Sequence, residues 1–179
     1  TPIQSGCIPF LMDDQDVVAK APTGTGKTYA FGIPIVEHTD PEGTDVTSLI
    51  LAPTRELALQ IRDDLRELTA LKKGVRVVCL YGGQPIDKQV NQLKKKPQIV
   101  VATPGRLMDH KKRRTIRLDK VQTVILDEAD RMLDMGFIDD VTKILDMMPN
   151  RKNLGLFSAT ISREVMDISW VYQRDPAEI

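Results

Sequence analysis

The chain has 179 residues, a length that suits one domain with a full-sized core, and its 25 Lys+Arg balance 25 Asp+Glu. Net charge therefore carries no message about partners, and no apolar run approaches the length that crosses a bilayer, so neither a membrane partner nor a secretory leader is expected. Cys7 and Cys79 lie in apolar surroundings without metal-ligand spacing and read as reduced core thiols of an intracellular protein.

Along the chain, short β-branched runs alternate with helical patterns. The first run, 16–19, leads into APTGTGKT at 21–28. Ala21, four residues, then Gly26-Lys27-Thr28 is P-loop spacing, with alanine where glycine is more usual. The physical content is a turn of little side-chain bulk. The backbone N–H groups of Thr23, Gly24, Thr25 and Gly26 can converge on phosphate oxygens, and the helix that follows adds its positive dipole end. Lys27 would reach the β- and γ-phosphates, and the Thr28 hydroxyl would complete a Mg²⁺ shell. That helix is expected from Lys27 to about His38, with Pro34 as a point where it can end or bend early.

Further strands are expected at 48–52, 75–81, 98–102, 121–126 and 153–157, and helices at 54–71, 86–93, 105–110, 128–135, 138–148 and 162–172. Several runs are almost wholly apolar, as strands covered on both faces should be. The alternation predicts one compact α/β domain, a mostly parallel sheet with helices on both faces, and ligands at the carboxyl ends of the strands.

Each motif follows a strand. After SLILA comes PTRELA, where Pro53 and Thr54 open a helix, Thr54 presents a hydroxyl and backbone amides to an anion, and Arg55 adds a charged donor. After 75–81 comes the turn Gly82-Gly83. After QIVVA comes TPGR, in which Thr103 caps, Gly105 admits a close approach and Arg106 can fork onto phosphate. Each by itself serves equally as an ordinary turn or as a phosphate contact, but three at strand ends away from the P-loop would line one edge. The basic runs Lys94-Lys95-Lys96 and Lys111-Lys112-Arg113-Arg114 read as solvated ends rather than polyanion contacts. VQTVILDEAD then delivers Asp127, Glu128 and Asp130 at a strand end. Asp127 is suited to hold Mg²⁺ directly or through water, and Glu128 to deprotonate the attacking water. After NLGLF, Ser158 and Thr160 can hydrogen-bond to Asp130, or Thr160 or Ser162 can cap the next helix.

Taken in order, TPIQ at 1–4, APTGTGKT at 21–28, PTRELA at 53–58, GG at 82–83, TPGR at 103–106, DEAD at 127–130 and SAT at 158–160 resemble the first RecA-like domain of the DEAD-box ATP-dependent RNA helicases, over the whole chain. The resemblance implies a RecA-like P-loop NTPase domain across 1–179. It implies ATP and Mg²⁺ as cofactors, and RNA-stimulated ATP hydrolysis coupled to local duplex opening or RNA–protein remodelling. Gln4 would read adenine through the donor and acceptor of its amide. The RNA would be held by its backbone without regard to sequence, through the three strand-end turns, and Asp130, Ser158 and Thr160 would couple ATP state to RNA state. The family's second RecA-like domain, with its arginine fingers, is not expected within this chain, nor is the upstream aromatic that stacks on the base. The chain alone is thus expected to bind nucleotide with little activity. Localisation is expected to be cytoplasmic, or nuclear in a eukaryote. Other P-loop motors would not be expected to show TPIQ, PTRELA and SAT together.

Overall fold

Strands with the sequences SLIL, VVCL and IVVA are buried at every position, because helices cover both faces of the sheet they form. In the computed structural model, residues 1–22 and 26–179 are described. Strands β1 (Val17–Lys20), β2 (Ser48–Leu51), β3 (Val77–Leu80), β4 (Ile99–Ala102), β5 (Thr123–Leu126), β6 (Asn153–Ser158) and β7 (Ala177–Glu178) make a 7-stranded sheet in the order β3-β4-β2-β5-β6-β1-β7. All of the pairings are parallel. Helix α1 (Pro2–Met12) precedes the first strand; connections between parallel strands must cross a face, and helices supply them: α2 (Lys27–His38), α3 (Arg55–Thr69), α4 (Ile86–Leu93), α5 (Pro104–Lys112), α6 (Ala129–Asp134), α7 (Ile138–Asp146) and α8 (Arg163–Tyr172).

Side-chain alternation along each strand divides the core in two. Val17, Ala19, Ile50, Val101, Ile125 and Phe157 pack under α1, α2 and α3, with Ile3, Cys7, Phe31, Ile61 and Leu65. Val18, Leu49, Leu51, Val100, Leu126 and Leu156 face the opposite way, against Leu107, Met132, Ile144 and Val165 of α5 to α8. Among the described residues no helix is long and apolar enough to cross a membrane. Both cysteines are buried and unbridged, and burial pushes the thiols up to about 11 for Cys7 and about 12 for Cys79, so neither is poised as a nucleophile.

Helix α2 spans Lys27–His38 as expected and runs through Pro34 without ending there. Two features differ from the sequence expectation. Helix α1 forms despite Pro2, Gly6 and Pro9: Pro2 sits at its first turn, and a capping box ties the Thr1 side chain to the Gln4 backbone and the Gln4 side chain to Thr1. Strand β7 was not foreseen. It pairs with β1 through Ala177 N–H to Asp16 O (2.9 Å) and Ile179 N–H to Val18 O (2.9 Å), and α1 closes on it so tightly that a Cβ on Gly6 would lie 2.6 Å from Ile179 Cγ2.

The joint between sheet and α2 is aromatic: Phe157 on β6 meets Phe31 edge-on, centroids 5.3 Å apart at 65°. Both rings are fully buried. Phe157→Ala is expected to lower unfolding free energy by about 3–5 kcal/mol, seen as a drop in denaturant midpoint at unchanged m-value.

Candidate functional site

The strand order sorts the motifs. The turns after β1, β5 and β6 occupy one half of the carboxyl edge, and those after β3, β4 and β2 occupy the other, with the boundary between β5 and β2. Backbone bonds carry the ladder beyond the strands, from Asp127 N to Leu51 O (3.0 Å), Thr103 N to Leu80 O (3.0 Å) and Ala21 N to Ser158 O (2.8 Å), so the turns are fixed relative to one another.

In the first half, Gly26 caps α2 with φ 75°, a left-handed conformation that favours glycine. Its carbonyl accepts from Gln4 Nε2 at 3.2 Å, while Gln4 Oε1 accepts from the Thr1 backbone nitrogen at 3.3 Å. The adenine-reading candidate is thereby brought against the P-loop, so closely that a Cβ on Gly26 would lie 2.7 Å from Gln4 Nε2. Lys27 is buried, its Nζ 3.0 Å from Asp127 Oδ1 and 3.6 Å from Glu128 Oε2. Thr28 is also buried beside it in the first turn of α2. The expected contacts of Thr23, Gly24 and Thr25 lie outside the described residues.

Asp127 is fully buried, and burial pushes its carboxyl above the usual carboxylate range against the pull of Lys27. Oδ1 takes both Lys27 and the Glu128 N–H (2.9 Å), whereas Oδ2 has no partner among the described residues. A buried, unpartnered carboxylate oxygen calls for a cation or a water. With the Thr28 hydroxyl it forms a sparse set of hard oxygen donors, which is how Mg²⁺ is held when phosphates and waters complete its shell. Among the described residues there is no group of three or more His, Cys, Asp or Glu that could cage a metal by itself. Glu128 sits at φ 49°, an uncommon region for a side chain, with its carboxylate largely buried at the start of α6 and Arg131 Nη1 3.5 Å from its Oε1.

Next to these, Asp130 is tied to β6. Its backbone N–H donates to Ser158 Oγ (3.1 Å), and its Oδ2 accepts from the Thr160 N–H (3.1 Å) and hydroxyl (2.9 Å). Burial alone would raise the Asp130 carboxyl, but the Thr160 bonds outweigh it and hold it below the usual range. Ser158 Oγ also donates to Thr160 O at 2.6 Å. The cap of α8 is Ser162, whose Oγ accepts from Val165 N, so both Ser158 and Thr160 serve Asp130 as expected.

In the other half, buried Pro53 leads to Thr54, which caps α3 by accepting from Leu57 N at 3.2 Å. Arg55 is exposed over the Tyr81 ring (5.2 Å), and Gly83, at φ 92°, lies so close that a Cβ there would be 3.2 Å from Arg55 Nη1. Gly82 and Gly105 face open space, and the Thr103 side chain makes no capping bond. Arg106 is also engaged within the protein. Its Nε donates to Gln89 Oε1 (2.9 Å) and its Nη2 to the Gln84 carbonyl, so two of the five guanidinium donors are spent on the turn.

The residue behind this is Gln89, fully buried in α4 and not singled out by the sequence reading. Its Nε2 donates to Tyr81 O (2.8 Å) and Gln84 Oε1 (3.0 Å), and its Oε1 also accepts from His110 Nε2 (2.8 Å). Burial, then the Arg106 charge, lowers the His110 pKa, so the ring is neutral with its proton on Nε2 and Nδ1 facing the Thr115 hydroxyl at 2.7 Å. One amide thus fastens the glycine turn to TPGR. Its signal was legible: Ile86, Gln89, Val90 and Leu93 form an i, i+3, i+4, i+7 stripe whose one polar member faces inward.

Gln89→Leu keeps volume but orphans Tyr81 O, Arg106 Nε and His110 Nε2, each worth about 1–3 kcal/mol when buried without a partner. Unfolding free energy is expected to fall by at least about 2 kcal/mol, read from denaturant midpoints, with hydrogen-exchange protection lost first at 81–90 and 104–112.

The comparisons with known proteins agree with this geometry. A family model described as DEAD/DEAH box helicase matches residues 1–168. Over 100% of its length the chain is 48% identical to the DEAD-box ATP-dependent RNA helicase CshA of Bacillus subtilis (strain 168), covering 36% of it. It is likewise 48% identical to the ATP-dependent RNA helicase DeaD of Klebsiella pneumoniae, covering 28% of it. The chain thus spans about a third of the length of the curated relatives it matches. A crystal structure of a DEAD box protein from the hyperthermophile Methanococcus jannaschii matches with a TM-score of 0.94 at 43% identity, over 100% of this chain and 49% of that one. The yeast DEAD-box splicing factor Prp28 matches with a TM-score of 0.94 at 33% identity, over 99% of this chain and 44% of that one. A parallel RecA-like sheet, seven motifs in order along the sequence and a family match over most of it lead to one conclusion: the chain belongs to the DEAD/DEAH box helicase family.

Proposed function

We propose that this chain is the ATP-binding domain of an ATP-dependent RNA helicase, in which ATP hydrolysis drives local RNA duplex opening or RNA–protein remodelling. The observation that carries the reading is Lys27 held between Asp127 and Glu128, with Asp127 Oδ2 buried and without a partner among the described residues at the end of β5. The names of the relatives, ATP-dependent RNA helicases at 48% identity, point the same way.

In this reading Gly26 and Lys27 receive the phosphates, together with Thr23, Gly24 and Thr25, and Gln4 reads the adenine edge with the amide that touches Gly26. A Mg²⁺ ion bound with the nucleotide would be held by Thr28 and Asp127 and would supply charge neutralisation at the β- and γ-phosphates. Lys27 carries the cation nearest to the incoming γ-phosphate. Glu128 takes the proton of the attacking water: its carboxylate lies 3.6 Å from Lys27 Nζ and 3.5 Å from Arg131 Nη1, beside the phosphate-binding turn. RNA lies across the other half of the edge, on Pro53, Thr54 and Arg55, on Gly82 and Gly83, and on Thr103, Gly105 and Arg106. The contacts there are to the backbone and not to bases, since exposed glycines, hydroxyls and isolated cations dominate. Arg106 acts mainly by holding the Gln84 turn in place. Asp130 with Ser158 and Thr160 ties the β5 turn to the β6 turn within the nucleotide half, and couples ATP state to RNA state from there. A second RecA-like domain would complete both sites, and an arginine finger from it is worth roughly 10³–10⁵ in rate. Buried reduced thiols and an RNA substrate fit action in the cytoplasm.

Base choice is the first test. The chain is expected to bind ADP more tightly than GDP, and Gln4→Ala to erase most of that difference; equal affinities in calorimetry would remove Gln4 from base reading. The second test separates binding from chemistry. Lys27→Ala should weaken nucleotide binding, whereas Glu128→Gln should preserve it and, in a protein that also carries the second domain, abolish RNA-stimulated phosphate release. Normal turnover by Glu128→Gln would show that another group takes the proton.

A further inference from the structure

The two basic runs left as solvated ends by the sequence reading come together in the fold. Helices α4 and α5 both begin at carboxyl-edge turns, after Gly82-Gly83 and at TPGR, and Gln89 pins them side by side. Both therefore end at the opposite edge of the sheet. There Lys94, Lys95 and Lys96 follow α4, and Lys112, Arg113 and Arg114 close α5, all six exposed. Lys96 and Arg114 line one cleft of about 250 Å³, with Arg117 as a further cation and Asp45 as its only carboxylate. Among the described residues, none of the six side chains makes an ion pair or a hydrogen bond.

Helix dipoles account for part of this, because cations are favoured near a helix C-terminus. They do not account for Lys96 and Arg114. Both lie beyond the helices, at φ 57°, in the left-handed position where a helix ordinarily ends on glycine or asparagine. Long cations stand at both places, on the same cleft, in a chain whose net charge is zero.

We propose that this basic rim is a second RNA-backbone site, occupied by RNA that continues past the strand-end turns and down the α4–α5 face. The inference rests on the reading of those turns as the primary RNA track. Helix α5 has 9 residues and spans about 13 Å at the usual rise, so RNA leaving TPGR needs to travel only that far to reach the rim. The six cations include no aromatic on which a base could stack, so the contacts go to phosphate and ignore sequence.

Two variants test it in the intact protein. Lys96→Gly with Arg114→Gly removes two charges and relieves two left-handed side chains, so thermal stability should hold or rise. Lys94→Gln, Lys95→Gln, Lys112→Gln and Arg113→Gln removes four charges. Affinity is measured against salt for a single-stranded RNA of roughly six nucleotides, sized for one track, and for the same strand extended on either side. On the extended RNA, the slope of log K against log[salt] should flatten by about 0.7 per lost contact, while the short RNA is unaffected. Extended RNA bound equally by wild type and both variants would overturn the proposal. So would a loss confined to vesicles of anionic phospholipid, which would assign the rim to a membrane surface. If the short RNA binds neither wild type nor variant, the primary track fails as a reading, while the extended arm still decides the rim.

Discussion

The buried pair of Lys27 and Asp127 governs the layout of this domain. The ammonium stands on the first turn of α2 and the carboxylate at the end of β5, with β6 between β5 and β1, so the 3.0 Å contact exists only if those strands are parallel and in this order. Two charges so deeply buried are not a source of stability: an apolar pair of equal volume commonly does as well or better. The burden is increased here, because Asp127 Oδ2 lacks a donor among the described residues and burial pushes the carboxyl upward. Such a group persists where a ligand uses it, which is why perturbed carboxylates at strand ends point to function.

Around that pair the sheet acts as a rigid template. The apolar strands are covered on both faces and cannot slide by one residue without exchanging the two cores, since successive side chains belong to opposite clusters. The turns inherit this register. Asp130 reaches across to Thr160 and Ser158, and Gln89 reaches to Tyr81, Gln84, Arg106 and His110, so each half of the carboxyl edge has its own polar tie above the sheet. The ties are of different kinds. That of Asp130 is charged and partly exposed, open to change with what binds beside it. That of Gln89 centres on a neutral, fully buried amide, and its removal would leave several groups unpaired at once.

The sequence disclosed the fold wherever chemistry was repetitive. SLIL, VVCL and IVVA are strands by their apolar runs, and α4 was located to the residue because its stripe is regular. It disclosed less where one local signal opposed another. In TPIQSGCIPFLM the two prolines and the glycine argue against a helix, yet Pro2 at the first turn costs nothing, Thr1 and Gln4 cap it, and Ile3, Cys7 and Leu11 give it a buried stripe. A two-residue strand such as β7 has too little pattern to be recognised; it exists because β1 presents an open edge. The candidate site was legible as a set of residues but not as a set of bonds. Arg106 illustrates the gap: the motif TPGR identifies a cation, but its partners lie 17 and 22 residues away along the chain.

Gln4 shows how a single side chain can belong to both descriptions. As a capping residue its amide closes the first turn of α1, and as a site residue the same amide grips the Gly26 carbonyl, 22 residues on. The first contact needs only a backbone nitrogen at the N-cap. The second is made to a residue at φ 75°, where a side chain would be strained and its Cβ would press 2.7 Å from Gln4 Nε2. The left-handed turn that opens α2 and the helix that opens the chain are therefore fitted to each other through one hydrogen-bonding group. Whatever displaces that amide must loosen both its helix cap and its hold on the P-loop, so the two contacts are energetically coupled by construction.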